Sequence, residues 1–306
     1  MDTESTSKYE DDFKILEEAM LPPINEFKRF IRVFFKRKVV IFGAAVILLI
    51  LLIAAFADVL APYGFNDQDL YNVLSLPTKD HPLGTDALGR DLLSRIIHGS
   101  RIALSVGVST VIVSSAIGTF LGLLAGYFEG VVGSIIMRGT DALMAIPNLI
   151  LSIIIAAVLK IGIYGIVLAV AIGLFPAYIR MTYGQVLSQK QNDYVIASRS
   201  MGSKKTRTIF RHILPNCLSP LIVQMTMMIG GAILAEAALS FLGLGIMPPT
   251  PSWGSLCYDG YRYLMNRPLL SIAPGFAIML LVFSFNMVGD GLRDALDPKL
   301  RGTSSN

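Results

Sequence analysis

The sequence predicts an all-α integral membrane protein with six transmembrane helices and an N-terminal interfacial amphipathic helix. Of its 306 residues, 53% are hydrophobic and only 16% are charged, whereas a soluble domain carries about 25% charged residues. The mean hydropathy is +0.61. The charges lie between long uncharged runs, and a run of about 20 apolar residues is enough to cross a hydrocarbon core.

The N-terminal region divides into a polar tail and a basic helix. Residues 1–22 are polar and rather acidic, which is typical of a flexible tail. From Phe27 to Phe34 apolar residues recur at helical spacing, and Lys and Arg occupy much of the remaining surface. This pattern favours a helix in the lipid headgroup region; a helix that binds a protein partner is the alternative. The first apolar run begins only at Val39, so we expect an anchor and not a cleaved signal.

Six runs are long and apolar enough to be spans, namely 39–57, 102–128, 142–159, 161–179, 217–235 and 268–289. An earlier start of the third span at Ile135 stays open. The third and fourth spans are separated only by Lys160 and the nearby Gly162, and their combined length requires two crossings. Pro147 and Pro176 predict kinks in these two spans.

The distribution of Lys and Arg predicts the orientation. With six spans, 19 of the 26 Lys and Arg residues fall on the side that holds both termini and the loop 180–216. The positive-inside rule therefore predicts a cell membrane protein whose two termini and loop 180–216 lie in the cytoplasm.

Composition and motifs argue against several other classes. The net charge of +4 and the pI of about 9.0 could suggest nucleic acid, but the charges lie at the ends of apolar runs and no nucleic-acid motif is present. The sequence contains no Walker A loop, nucleophile elbow or zinc-protease helix, so we expect a non-catalytic chain. Cys217 and Cys257 are predicted on opposite sides of the membrane and should not pair. The histidines show no metal-ligand spacing.

Small residues line one face of two predicted spans. They recur every fourth residue in the second span (Ser114, Gly118, Gly122, Gly126) and in the fourth (Gly165, Ala169, Gly173, Ala177). Such spacing lets helices approach closely in lipid, either within one subunit or between subunits.

A few ionisable or aromatic groups lie in or near the spans. Arg138 and Asp141 are expected to pair with one another or with headgroups. Glu236 is expected near the outer interface, with the lining of a path through the membrane as the alternative. Gly84 and Gly89 predict turns in the outer segment, and Trp253 is predicted to anchor at the outer interface.

The loop between the fourth and fifth spans predicts two short helices, which we call the knob (residues 193–215). Asp193 is expected to cap the first helix and Gly202 to end it. Ser203 is expected to cap the second, which runs from Lys204 to Leu214 and is ended by Pro215. One face of the second helix is expected to be apolar and is formed by Thr206, Ile209, Phe210 and Ile213. Another is expected to be cationic and is formed by Lys204, Arg207 and Arg211. This pattern favours docking in a partner's groove, with a loop lying on the membrane surface as the alternative.

The knob also carries a family resemblance. Residues 197–202 (Ala-Ser-Arg-Ser-Met-Gly), followed by Leu-Pro at 214–215, resemble the "EAA" loop of permease subunits in binding-protein-dependent ABC importers. Ile196 stands where that family has glutamate, and Ser198 where it has its second alanine.

Further blocks resemble the dipeptide/oligopeptide "C-type" permeases of that family. They are His-Pro-Leu-Gly-Thr-Asp at 81–86, Leu-Gly-Arg-Asp at 88–91, Thr-Asp-Ala at 140–142, Ala-Leu-Ser-Phe-Leu-Gly-Leu-Gly at 238–245, Pro-Ser-Trp-Gly at 251–254 and Gly-Asp-Gly-Leu-Arg-Asp-Ala-Leu-Asp-Pro at 289–298. The resemblance runs from about residue 36 to residue 301.

The resemblance implies a type I ABC importer permease fold and half of a translocation path for short peptides, working by alternating access. It implies a heterodimer with a related permease subunit, two cytoplasmic ATPases that hold ATP and magnesium, and an extracytoplasmic substrate-binding protein. No cofactor is expected on this chain itself. Nickel or another small solute is the alternative cargo, and a stand-alone ion-coupled carrier is the alternative mechanism.

The resemblance also assigns regions and coupling residues. Residues 1–38 would form the tail and interfacial helix, 39–101 the first span and outer segment, 102–301 the permease core with its coupling loop 181–216, and 302–306 the C-terminal tail. The residues expected to couple to the ATPase are Tyr194, Ala197, Ser198, Gly202, Ser203, Phe210, Leu214 and Pro215. For Asp290, Arg293, Asp294 and Asp297, either a cap on the last span or an ATPase contact is expected.

Overall fold

The computed structural model describes residues 26–159 and 162–296, and within these ranges the chain is helical apart from loops and one isolated β-bridge between Thr85 and Asp91. The predicted tails 1–22 and 302–306 lie outside the described residues. The helices are α1 Glu26–Phe34, α2 Lys38–Ala55, α3 Ala57–Leu60, α4 Leu92–Phe128, α5 Gly130–Met144, α6 Asn148–Leu159, α7 Gly162–Lys190, α8 Asp193–Ser200, α9 Lys205–Arg207, α10 Leu214–Phe241, α11 Trp253–Tyr261 and α12 Leu269–Leu296. A π-helical segment, Thr208–Ile213, joins α9 to α10.

Five helices of the described chain are long and apolar enough to cross a membrane: α2, α4, α7, the continuous Lys205–Phe241 helix and α12. A sixth crossing is provided if α5 and α6 form one broken span, since together they meet the same criterion. The two helices meet at a 91° bend, and Pro147 lies in the break, which confirms the kink predicted there. Helix α7 continues through Pro176, and the kink predicted there stays a prediction. The all-helical membrane architecture is confirmed.

Several spans are longer than their uncharged cores. Helix α4 begins at Leu92 and not near residue 102, because the Asp91 side chain accepts a hydrogen bond from the Ser94 amide at 2.7 Å and caps the helix. The added turns contain Arg95 and Arg101. A prediction based on charge-free windows excludes such turns.

The glycine stripe of α4 is the contact surface for α7. A Cβ atom added at Gly122 would lie 2.6 Å from the Thr182 Cβ, and one added at Gly126 would lie 2.7 Å from the Val186 Cβ. Gly118 meets the fully buried Tyr178 in the same way. The small residues of α4 therefore pack two helices of one subunit, which decides between the two alternatives for this stripe.

The outer segment (residues 61–91) is held against the start of α4. Gly84 and Gly89 have φ values of +81° and +72° and face the backbone carbonyls of Ser75 and Asp69, where a side chain would collide. Both predicted turns are thus confirmed. A hydrogen bond of 2.7 Å from Arg267 Nε to the Leu74 carbonyl ties this segment to the loop before α12.

Polar contacts near both ends join the first span to the rest of the bundle. At its C-terminal end, Arg101 Nε donates to the Ala54 carbonyl at 2.6 Å, and the guanidinium forms a bidentate pair with Asp58. At its other end, Arg37 Nη2 lies 2.9 Å from Asp294 Oδ2 on α12. Helix α1 also lies against α12; its place in the headgroup region stays a prediction.

Candidate coupling site

The knob contains two helical pieces joined at Gly202. The Gly202 amide donates to the Arg199 carbonyl at 3.0 Å, and the Ser203 amide donates to the Ser198 carbonyl at 3.1 Å. This is a Schellman motif, which requires a residue with positive φ, and Gly202 has a φ of +80°. The predicted helix stop at Gly202 is confirmed.

Both predicted helix caps are wrong. Asp193 is the first residue of α8, and Asn192 takes the cap position without a side-chain hydrogen bond. Ser203 is used by the Schellman motif, so the extended Lys204 becomes the residue before α9. In the described part of the chain, Ser203 Oγ is buried and has no hydrogen-bond partner.

Pro215 does not end the second helix, contrary to prediction. The helix runs from Lys205 to Phe241, and Pro215 lies at its transition from π-helical to α-helical turns. Proline removes a hydrogen bond and crowds the carbonyl four residues earlier. In the preceding π segment the Leu214 amide bonds instead to Ile209, five residues back, so the helix widens before the ring and continues past it.

The apolar face predicted for the second helix is divided between the core and the surface. Ile209 and Ile213 are buried with Val195 in the core. Phe210, by contrast, is 58% exposed, and Met201 beside Gly202 is 82% exposed. The π turns change which side chains share a face, so Phe210 and the two isoleucines do not form one ridge.

The predicted coupling residues are only partly brought together. A cleft of about 750 Å³ lies in the knob and is lined by Tyr194, Ser198, Met201, Gly202, Ser203, Lys204, Thr206, Arg207 and His212. Four of the eight predicted residues line this cleft. Ala197, Phe210 and Pro215 are exposed outside it, and Leu214 is half-buried.

Lys190, the last residue of α7, joins this helix to the end of α4, and the sequence did not predict this contact. Its ammonium donates to the carbonyls of Gly126 and Tyr127 at 3.3 and 3.2 Å and to Glu129 Oε1 at 2.6 Å. A cation is favourable at a helix C-terminus, and here it satisfies the end of α4. The hydrogen bond from Lys190 also holds the pKa of Glu129 below its usual value. The partners lie more than 60 residues away, so no local pattern reveals this junction.

We expect Lys190→Met to lower the melting temperature of the purified protein by about 2–4 °C, because the end of α4 loses a cation and the carbonyls lose their donor. Lys36→Met is the control, since Lys36 is exposed before α2. Thermal unfolding followed by tryptophan or dye fluorescence measures both. An equal shift in the two variants would contradict a structural role for Lys190.

Three other residues singled out in the sequence have partners within the protein that were not predicted. Asp141 pairs with Arg180 of α7 and not with Arg138, because α7 runs beside α5. Glu236 is buried and accepts a 2.7 Å hydrogen bond from Ser240 Oγ. The predicted surface anchor Trp253 is also buried, with its Nε1 donating to the Ile96 carbonyl at 2.9 Å.

The long apolar helices, the bent pair and the exposed knob define a multi-pass membrane protein. A family model described as "Binding-protein-dependent transport system inner membrane component" matches residues 118–302. A second, described as the N-terminal transmembrane domain of oligopeptide transport permease C, matches residues 25–77. The chain belongs to the family of inner membrane components of binding-protein-dependent transport systems, which confirms the resemblance found in the sequence.

Curated relatives cover nearly the whole chain. The glutathione transport system permease protein of Pectobacterium atrosepticum is 43% identical over 290 residues, which are 92% of this chain and 96% of the relative. The di/tripeptide transport system permease protein of Pseudomonas aeruginosa is 44% identical over 90% of this chain and 93% of its own. The dipeptide transport system permease protein of Alkalihalophilus pseudofirmus is 41% identical over 87% and 88%. The chain is a transport permease of the inner membrane with several spanning helices.

Proposed function

We propose that this chain forms half of the translocation path of an ATP-driven importer for short peptides, and that the knob couples the path to separate ATPase subunits. The peptide cargo is supported by relatives whose names specify dipeptides, di/tripeptides and glutathione. The other half of the path is a related permease subunit. An extracytoplasmic binding protein delivers the peptide, and two cytoplasmic ATPases hold ATP and magnesium, so this chain needs no cofactor.

The observation that carries the coupling role is the exposed apolar surface of the knob. Phe210 and Met201 are exposed apolar residues of the knob, and its Lys204, Lys205 and Arg207 are exposed as well. The Lys and Arg distribution supports a cytoplasmic position for this surface and for both termini. An exposed apolar side chain with cationic neighbours suits a groove in a soluble partner.

The knob is connected to the spans in a way that supports alternating access. Its second half is continuous with α10 along Lys205–Phe241, and its first half follows α7 at Lys190. Lys190 in turn holds the turn between α4 and α5. Closure of an ATP-bound ATPase dimer would displace the knob, and these links would carry the movement to three spans as rigid bodies.

We expect Phe210→Ala to lower ATP-driven uptake of a labelled dipeptide about tenfold or more, because truncating an apolar anchor at an interface costs binding energy. Uptake is measured in proteoliposomes that contain both permease subunits, the ATPases and the binding protein. Phe42→Ala on α2 is the control, since Phe42 is 50% exposed on the first span and lies far from the knob in sequence.

Three outcomes contradict the proposal in different parts. Unchanged uptake by Phe210→Ala argues against the knob as the coupling element. Uptake of nickel and not of peptides assigns the alternative cargo. Uptake by this chain alone, driven by an ion gradient without ATP, assigns a stand-alone carrier.

A further inference from the structure

A cavity of about 600 Å³ lies between α7, α10 and α12. Its lining comes from one face of each helix: Met181, Gln185 and Gln189; Asn216, Ser219, Pro220, Val223, Gln224 and Met227; Arg293 and Leu296. The volume falls within the range of ordinary small-molecule sites, about 300–1,000 Å³. In the proposed topology the cavity lies at the cytoplasmic ends of these spans, next to the knob.

The polar lining suits a peptide backbone. Four lining side chains are amides, and an amide carries both a donor and an acceptor, as a peptide group does. Asn216 Nδ2 already donates to the His212 carbonyl and Gln189 Oε1 already accepts from Tyr194, so the amides of Gln185 and Gln224 are the ones we expect to offer both groups to a peptide. Two methionines, Met181 and Met227, add flexible apolar surface that adapts to different side chains. Such a lining recognises the backbone of a peptide and tolerates variation in its side chains.

The charge of the lining determines how a bound peptide is oriented in the cavity. Arg293 is the one lining residue that carries a full charge, and no lining residue is a carboxylate. A guanidinium binds carboxylates in a fork geometry, so it attracts the C-terminal carboxylate of a peptide and does not attract the N-terminal ammonium. Arg293 lies one turn from the end of α12, at the cytoplasmic end of the cavity.

One hydrogen-bonded side chain connects the cavity to the knob. The side-chain amide oxygen Oε1 of Gln189 accepts a hydrogen bond from the Tyr194 hydroxyl at 2.6 Å. Gln189 lines the cavity, and Tyr194 lines the cleft of the knob. This hydrogen bond links the lining of the cavity to the knob.

We infer that this cavity is a peptide-binding site at the cytoplasmic end of the path, in which Arg293 binds the free C-terminal carboxylate and the amides bind the backbone. This inference rests on the proposed peptide import function and names the residues that meet the cargo. A peptide held in this way leaves toward the cytoplasm with its carboxylate end first.

A labelling experiment tests binding at this site without requiring transport. Ser219→Cys places a thiol on the cavity lining in the complex with its partner subunits, with Cys217 and Cys257 replaced by serine. Maleimide labelling is then followed in the absence of ATP, with a dipeptide or its C-terminal amide as the probe. A dipeptide at ten times its Kd should slow labelling about tenfold, and the amide at the same concentration should leave the rate within about twofold because it lacks the charge that Arg293 binds.

Substitution of the cation completes the test. Arg293→Gln should raise the Kd of the dipeptide about tenfold or more, since hydrogen bonds to a charged group are among the stronger ones. Arg138→Gln is the matched control, because Arg138 is an exposed arginine of α5 outside the lining. Co-purification of the ATPases with each variant shows whether assembly is intact.

The inference fails if the dipeptide and its amide protect the thiol equally, if neither protects it, or if Arg293→Gln releases the ATPases and thereby identifies an assembly contact. These failures are separate from failure of the proposed function, which would appear as absence of ATP-driven peptide uptake by the unmodified complex.

Discussion

We expect Gly118→Ala to destabilise the protein by about 2–3 kcal/mol and to reduce the amount of folded protein recovered from membranes. The added methyl group would meet the Tyr178 Cβ and would lie 2.8 Å from the Phe175 carbonyl oxygen. Tyr178 is fully buried and part of the main core, so it cannot turn away into lipid. Overpacking of a core typically costs about 1–3 kcal/mol, and here α4 and α7 must separate.

Gly184→Ala gives a control of opposite sign. Gly184 lies in α7, the helix that packs on α4, but nothing lies within 4 Å of an added Cβ atom at that position. Alanine in a helix is favoured over glycine by roughly 0.5–1 kcal/mol, so this variant should be neutral or slightly more stable. Melting temperatures in detergent, measured by size-exclusion chromatography after heating, compare the two. If Gly118→Ala melts like Gly184→Ala, close contact at the glycine stripe does not hold the bundle together.

The second large effect is expected at Gly202. Valine at this position should lower coupled peptide uptake at least about tenfold while ATP hydrolysis by the assembled complex continues. The reason is conformational, since an added Cβ atom would contact nothing within 4 Å but the φ of +80° is costly for a β-branched residue. The Schellman motif would open, and the two halves of the knob would lose their relative position.

Two further variants separate backbone strain from loss of surface. Asn tolerates positive φ better than other non-glycine residues, so Gly202→Asn should retain several-fold more uptake than Gly202→Val. Gly139→Val adds the same side chain at an open position of α5 with an ordinary φ and should transport normally. Normal coupled uptake by Gly202→Val would count strongly against the knob as the coupling element.

Local chemistry in the sequence predicted a large part of this fold. Long uncharged runs predicted the spans, and single glycines predicted the turns at Gly84, Gly89 and Gly202, because a positive φ is a property of a few consecutive residues. The bend at Pro147 could also be predicted, because a proline acts on the backbone next to it. These features need no knowledge of what lies beside them.

The missed features depend on neighbours that are distant in the chain. Ile209 and Phe210 are adjacent and equally apolar, yet Ile209 packs on Val195 and Phe210 remains exposed. Lys190 is unremarkable in sequence and satisfies carbonyls at the end of another span. Division of the knob into buried and exposed residues therefore required the tertiary structure.

The contact made by Arg101 limits which chimaeras between this chain and its relatives would fold well. The two matched family regions, 25–77 and 118–302, leave residue 101 in neither, although its guanidinium joins the Ala54 and Ala55 carbonyls and Asp58 of the first region to α4. A chimaera that takes residues 25–77 from a relative must reproduce an acidic partner at position 58. Without it, the Arg101 guanidinium would lack its carboxylate partner, and the first span would lose its ion pair with α4.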